Sequence, residues 1–189
     1  FPTRRSSDLL NELGGPVYYM LLWTWEKLAG DGDLALRLPS LAAALAAPVL
    51  ILFAGHPDRK MRLCWSGICA VWIPGFAIAT EARSYALLFL LATVQAIVFL
   101  RLLSAPSLRR AGFWVAVTGA IILTHYFGLF ISAIQGAIFI VARRRSVATT
   151  WPALLGFAPV ILWMLFHLSF LARLGGAGVA WQSVVPPRA

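Results

Sequence analysis

The sequence predicts an all-α fold, a polytopic integral membrane bundle of helices. Of its 189 residues, 60% are hydrophobic and only 12% are charged. A soluble domain of this size needs many more polar residues to cover its surface, so the apolar side chains are expected to face lipid. The formal net charge of +9 comes from short basic clusters between apolar runs, where such residues orient helices. We therefore expect membrane lipids as partners and no nucleic acid.

The first segment, residues 1–9 (FPTRRSSDL), is set apart from the fold. It can be encoded by DNA that resembles a common short-read sequencing adapter, and such segments are excluded before structure is assigned. We therefore expect that residues 1–9 are not native, and that the chain is an N-terminally truncated fragment of a longer protein.

An aromatic segment, GGPVYYMLLWTWEKLAG, occupies residues 14–30. Its apolar part is shorter than the roughly 20 residues that a membrane span needs. Tyrosine and tryptophan rings prefer the boundary between lipid and water. Residues 10–33 are therefore predicted to form an outer-face loop and an interfacial helix.

The remaining apolar runs predict a transmembrane bundle over residues 34–172. Basic or turn-forming segments separate the runs. The predicted helices cover residues 34–54, 63–76, 85–100, 111–124, 128–142 and 151–172. Residues 173–189 contain Gly and Pro and are predicted to be an outer-face tail, the start of a loop that is cut short.

Successive loops are expected to lie on opposite sides of the membrane, and the two sets of loops differ in net charge. On one side the basic residues are opposed only by Asp58, whereas acids and bases balance on the other side. The basic set is Arg59, Lys60, Arg62, Arg101, Arg109, Arg110, Arg143, Arg144 and Arg145. Cytoplasmic loops carry excess Lys and Arg, so this side is assigned to the cytoplasm. The aromatic helix and the other polar segments then gather on the outer face.

The first polar segment on that face is TEARSY, with Glu81, Arg83 and Tyr85. Ionisable residues near membrane spans usually face a bundle interior or a wet cavity. Arg83 can pair with an anionic group, while Glu81 orients it or binds sugar hydroxyls. The alternative is a local ion pair that caps a helix and marks the membrane boundary.

The second polar segment, THYFG, contains His125 and Tyr126 between two apolar runs. An imidazole can donate a hydrogen bond to phosphate or hydroxyl and changes charge near neutral pH. The alternative is a turn at the membrane surface with aromatic anchors.

Other familiar chemistries have no signal in the sequence. Cys64 and Cys69 lack the spacing of a zinc or redox motif, and packing as small apolar residues suits them better. No phosphate-binding glycine loop or hydrolase motif occurs. We expect no metal and no cofactor.

The order of these segments resembles a known enzyme family. GPVYYMLLW is followed by GDGDLALRLPSLAAALAAPVLIL, a basic turn, EARSYALL and THYFG. This pattern resembles the bacterial membrane glycosyltransferases related to protein O-mannosyltransferases and to the lipid A aminoarabinose transferase, which share the C-type glycosyltransferase fold. The resemblance covers residues 14–127, and the family's His-Pro-Pro stands here as Gly-Gly-Pro.

The resemblance implies transfer of a sugar from a polyprenyl-phosphate donor to a lipid, glycan or protein acceptor, at the outer face of the bacterial cytoplasmic membrane. The catalytic acid of such enzymes lies in the first outer loop, which here falls upstream of the chain. The catalytic residue is therefore unknown and the fragment itself is expected to be inactive. Expected substrate-binding residues are Tyr18, Tyr19, Glu81, Arg83, Tyr85, His125 and Tyr126.

Two other function classes remain open at the level of sequence. In a secondary transporter Glu81 and Arg83 would couple or gate transport, but no internal repeat is evident. In a non-catalytic membrane scaffold both residues would tolerate substitution.

Overall fold

The computed structural model describes residues 15–80 and 82–175, and every regular element in these ranges is helical. The elements are α1 (Pro16–Ala29), α2 (Asp33–Ala54), α3 (Arg59–Ala70), α4 (Ile73–Thr80), α5 (Tyr85–Ser104), α6 (Leu108–Thr124), α7 (Gly128–Ala142), α8 (Arg144–Thr150), a 3₁₀ helix (Trp151–Phe157) and α9 (Ala158–Gly175). The predicted all-α class is confirmed for this part of the chain.

Three segments in the described ranges are long and apolar enough to cross a membrane. They are α2 with 22 residues, α5 with 20 residues and the stretch Arg144–Ser169 with 26 residues. Helix α7 is also apolar but shorter. The composition and length of these helices agree with a helical membrane bundle.

Helices α2 and α5 pack side by side and begin at the same end of the bundle. The Arg37 guanidinium in α2 donates to the Thr80 carbonyl at 3.2 Å, and the Ser40 hydroxyl donates to the Arg83 carbonyl at 3.4 Å. The return between the two helices is made by α3 and α4. Helix α6 then runs back along α5, so α6 ends where α2 and α5 begin. We call this the polar end, and the opposite end, where α5 ends and α6 begins, the basic end.

The predicted helix over residues 63–76 is interrupted. Helix α3 ends at Ala70 and α4 begins at Ile73, with Val71 and Trp72 between them. Pro74 lies in the first turn of α4, where its missing amide hydrogen costs no hydrogen bond within the helix. A new helix start is therefore well suited to this position in the apolar run.

A proline in α2 also determines how α1 docks. Pro39 lies inside the helix, and its missing amide hydrogen leaves the Ala35 carbonyl without its usual partner four residues on. The Trp25 indole of α1 donates to that carbonyl at 2.8 Å. The carbonyl that Pro39 leaves unpaired within α2 is thus the point at which α1 is bound.

The interior combines an apolar cluster with one polar node. Toward the basic end, Phe99 and Leu102 of α5 pack with Trp114 and Val115 of α6. Nearer the middle, the fully buried Gln95 amide donates to the Thr118 and Ser132 hydroxyls, each at 2.8 Å. This node joins α5, α6 and α7.

Helix α9 belongs to a separate compact unit, residues 158–189, whereas the preceding elements form the unit that ends at Phe157. Within α9 the rings of Trp163 and His167, one turn apart, stack with centroids 5.9 Å apart. The predicted span over residues 151–172 is thus a 3₁₀ helix followed by an α-helix.

Candidate functional site

The polar end begins with the close approach of Gly15 to the last turn of α6. The Gly15 amide donates to the Thr124 carbonyl at 3.0 Å. A β-carbon at Gly15 would collide with the Leu123 carbonyl, so only glycine allows this contact. Pro16 follows at the first position of α1, where its fixed φ suits a helix start. The Gly-Pro pair therefore holds the aromatic helix against the turn that carries His125.

Tyr18 connects α1 to the start of α2 and to the segment before α5. Its side chain is only 1% exposed, and its hydroxyl lies 3.3 Å from the Ser40 hydroxyl. Because Ser40 donates its hydrogen to the Arg83 carbonyl, Tyr18 is the donor in this pair. Burial raises the pKa of Tyr18. The Tyr18 hydroxyl is thus a structural donor in this arrangement.

Tyr19 lies beside it and is half-buried. The two tyrosine rings meet edge to face with centroids 5.7 Å apart. Edge-to-face packing of this kind fixes both rings. The binding role expected for Tyr18 and Tyr19 stays a prediction.

Two residues at this end were missed as functional candidates by the sequence analysis. Arg37 forms a bidentate ion pair with Asp33, at 3.1 and 3.0 Å, and also reaches the Thr80 carbonyl. Ser40, 1% exposed, is the hydroxyl between Tyr18 and the Arg83 carbonyl. Their spacing, four residues from Asp33 to Arg37 and three more to Ser40, places all three on one face of a helix. This helical spacing is the feature of the sequence from which Arg37 and Ser40 could have been identified as candidates.

Arg83 lies in the short segment between α4 and α5, and its side chain is exposed. Its backbone carbonyl is held by Ser40, so the position of the segment depends on α2. Glu81, predicted to act with Arg83, lies outside the described residues. The exposed guanidinium provides a positive charge at the polar end.

Tyr85 and His125 bring the two predicted polar segments together. Their rings lie 5.5 Å apart between centroids, at an interplanar angle of 34°. Tyr85 is 39% exposed at the start of α5, whereas His125 is 7% exposed at the end of α6. The predicted proximity of these two segments is therefore observed, although they are 40 positions apart in the numbering of the chain.

The protonation of His125 follows from its surroundings. Its Nδ1 accepts the Phe127 amide hydrogen at 3.3 Å, so the neutral ring carries its proton on Nε2. Burial lowers the pKa of His125, which favours this neutral form. Phe127 also packs its ring 4.7 Å from the imidazole. His125 is thus a neutral hydrogen-bond donor at neutral pH.

The turn after His125 is tight. A β-carbon on Gly128 would collide with the Ile121 side chain, so glycine is required where α7 begins. Tyr126 lies in this turn and is half-buried. Its position beside His125 is observed, and its role in binding stays a prediction.

An open apolar groove of about 690 Å³ runs between α1 and α2. Met20, Leu21 and Leu28 form one wall, and Leu38 and Pro39 form the other. Pro39 precedes Ser40 in α2, so the groove reaches the polar end. Its lining suits a hydrocarbon chain.

No cluster of His, Cys, Asp or Glu that could hold a metal ion occurs among the described residues. Cys64 and Cys69 are both free thiols. Comparison with protein-family models, curated proteins and solved structures found no match to this chain.

Proposed function

We propose that the polar end is the donor site of a membrane glycosyltransferase that uses a polyprenyl-phosphate-linked sugar. The observation that carries the proposal is the meeting of Tyr85 and His125 beside the exposed Arg83, at the end of the bundle that the apolar groove reaches. A lipid-linked phosphate needs a cation, hydrogen-bond donors and an apolar channel in one place. The resemblance in the sequence supports the same substrate class.

Arg83 acts on the leaving group in this proposal. Breaking the bond between the sugar and the phosphate increases negative charge on the phosphate oxygens. A fixed guanidinium aimed at those oxygens stabilises that charge, most strongly where water is excluded. Neutral His125, with its proton on Nε2, and the Tyr85 hydroxyl donate to phosphate or sugar oxygens.

The groove between α1 and α2 holds the lipid part of the donor. Its walls are predominantly apolar, with Leu28 on the α1 side and Leu38 on the α2 side. A polyprenyl chain can therefore enter from the bilayer while its phosphate stays at the polar end. Tyr18 and Tyr19 position α1 as the outer wall of this channel.

The catalytic acid is expected from the resemblance in an outer loop upstream of residue 14. Recovery of the reading frame upstream of codon 10 tests this directly. An Asp or Glu in such a loop supplies the missing acid. A frame that extends instead into repeats of the present helices favours transport and contradicts the proposal.

Removing the Arg83 charge tests the donor site. Arg83→Ala is expected to weaken binding of undecaprenyl phosphate about 10- to 100-fold, since hydrogen bonds to charged groups are the strong ones. Binding is measured with the purified chain in detergent by native mass spectrometry. In the complete protein the same change is expected to abolish sugar transfer without loss of membrane insertion.

Lys27→Ala is the matched control, because it removes one exposed positive charge from α1 without touching Arg83. It is expected to bind the lipid phosphate like the unchanged chain. Equal binding by Arg83→Ala and the unchanged chain would contradict the donor site.

A transporter is the second candidate, favoured by the interruption between α3 and α4. Transporters place ion and substrate sites at broken helices. Residues 59–80 contain no carboxylate, however, so this break lacks the usual ligand for a coupling cation. Uptake of labelled sugar into vesicles that contain the complete protein would favour this candidate over the transferase.

A further inference from the structure

A second groove lies at the basic end, far along α5 from the candidate donor site. It has a volume of about 930 Å³ and lies between the end of α5 and the start of α6. Arg101, Arg109 and Arg110 line it together with the apolar residues Val98, Pro106 and Phe113. We call it the basic groove.

Residues 82–189 offer no Asp or Glu side chain to neutralise these arginines. Neither Asp nor Glu occurs after Glu81 in the sequence. Arg143 adds to the positive charge at this end, because its guanidinium donates to the Leu103 carbonyl of α5 at 2.7 Å. Like charges gathered at one place repel one another unless an anion offsets them. The basic groove therefore presents an excess of positive charge.

The three arginines of the basic groove make different contacts. Arg110 donates to the Arg101 carbonyl at 3.2 Å and to the Ala105 carbonyl at 2.6 Å, so it caps the end of α5. Arg109 lies with its guanidinium carbon 5.7 Å from the centre of the Phe113 ring. This contact holds Arg109 against the apolar wall of the groove. All three arginines are exposed, and Arg101 and Arg109 are the two that do not cap α5.

The apolar wall distinguishes a lipid from a free anion. Val98 belongs to α5, a helix long enough to cross a membrane, and Phe113 is 54% exposed on α6. A phosphodiester at the arginines would leave its acyl chains along these two side chains. Basic pockets between membrane helices bind the head groups of anionic lipids in this way. We propose that the basic groove binds one anionic phospholipid, with its phosphate at Arg101 and Arg109.

The probe for this proposal is a short-chain, water-soluble phosphatidylglycerol. The purified 189-residue chain in detergent is titrated with it, and the rise in melting temperature gives the concentration for half-saturation. Arg101→Gln combined with Arg109→Gln removes two of the three positive charges that line the groove and leaves the Arg110 cap intact. This concentration is expected to rise about 25-fold, about fivefold for each basic residue near an anionic lipid.

Arg144→Gln combined with Arg145→Gln is the matched control. It removes the same charge from exposed positions at the start of α8, outside the groove. Its half-saturation is expected to stay within about twofold of the unchanged chain, since neither side chain lines the groove and salt weakens the interactions of exposed charges that do not touch the ligand. An equal weakening in both variants would mean a diffuse charge effect and would overturn the proposal.

Two further titrations separate the lipid from other ligands. Phosphatidylcholine of the same chain length should stabilise the chain far less than phosphatidylglycerol, and so should inorganic phosphate. Equal stabilisation by either one overturns the assignment to an anionic lipid.

A third variant keeps the test decisive if the double arginine variant does not fold. Phe113→Ala removes an exposed ring from the apolar wall. It is expected to weaken binding of phosphatidylglycerol about threefold, in line with a lost cation–π contact and lost apolar area. Unchanged binding by that variant would overturn the placement of the lipid along α6.

Discussion

At the scale of single residues, the polar end depends on small side chains as much as on ionisable ones. Gly15 allows a close approach to the Leu123 backbone, and Gly128 a close approach to the Ile121 side chain, that a β-carbon would block. Ser40 accepts from Tyr18 and donates to the Arg83 carbonyl, so one hydroxyl orients two elements. These residues position Arg83, Tyr85 and His125 without offering reactive groups themselves. The sequence pointed to the ionisable residues because the residue type alone suggests a role in binding. The role of Ser40 depends on its hydrogen-bond partners, which the sequence does not show.

His125 gives a prediction for pH at this scale. Its pKa is lowered by burial, so the folded chain binds fewer protons than the unfolded chain once the pH falls below about 6.5, the usual value for histidine. Stability is therefore expected to decrease as the pH falls from 7.5 to 5.5. Thermal unfolding of the purified chain in detergent at both pH values measures the decrease.

His125→Gln should reduce this pH dependence, while His56→Gln, in the turn at the other end of α2, should preserve it. An unchanged pH dependence in His125→Gln would contradict the buried neutral imidazole.

At the scale of elements, prolines decide where apolar runs bend, stop or accept a partner. Pro74 lies in the first turn of α4, close after the end of α3. Pro39 has no amide hydrogen to donate to the Ala35 carbonyl, which therefore accepts from the Trp25 indole. Hydropathy alone predicted one helix over residues 63–76, since the second half of α3 and the start of α4 are both largely apolar. The bounds over 128–142 were predicted correctly, because glycine begins that helix and arginines follow it. Break points inside apolar runs depend on which backbone groups find partners, and the pattern of hydrophobic residues does not contain that information.

The attachment of α1 can be tested by a double-mutant cycle. Trp25→Phe leaves the Ala35 carbonyl without a donor and is expected to cost about 1 kcal/mol of stability. In a Pro39→Ala background, the new amide hydrogen at position 39 bonds to that carbonyl, so Trp25→Phe should cost much less.

Both effects are measured by thermal unfolding in detergent. Additive costs in the double variant would show that Trp25 and Pro39 are not coupled through the Ala35 carbonyl.

At the scale of the whole molecule, charge and polarity are divided between the two ends of the bundle. Arginines surround the turn between α5 and α6, whereas Tyr18, Tyr85 and His125 gather at the opposite end. The alternation of apolar runs was enough to predict this division. The partners within each end were not predictable, since they depend on how the helices pack.

The division predicts which end faces the cytoplasm. In a chain with both native cysteines replaced by Ala, Phe127→Cys at the polar end should react with a membrane-impermeant maleimide in intact cells. Ala105→Cys at the basic end should react only after the membrane is opened. Both positions are exposed, so labelling depends on sidedness rather than burial. The reverse pattern would place the candidate donor site on the cytoplasmic side.

The polar node at Gln95 has a consequence for how sequence change is tolerated. Apolar helix surfaces in a lipid environment gain no hydrophobic free energy by packing together, because lipid tails are as apolar as the side chains, so interhelical hydrogen bonds help to define the packing. The Gln95 amide hydrogens bond to the hydroxyls of Thr118 in α6 and Ser132 in α7. Gln95 therefore sets how α5, α6 and α7 are aligned along their lengths. Aliphatic residues around Gln95 can be exchanged for one another while the arrangement of α5, α6 and α7 is kept.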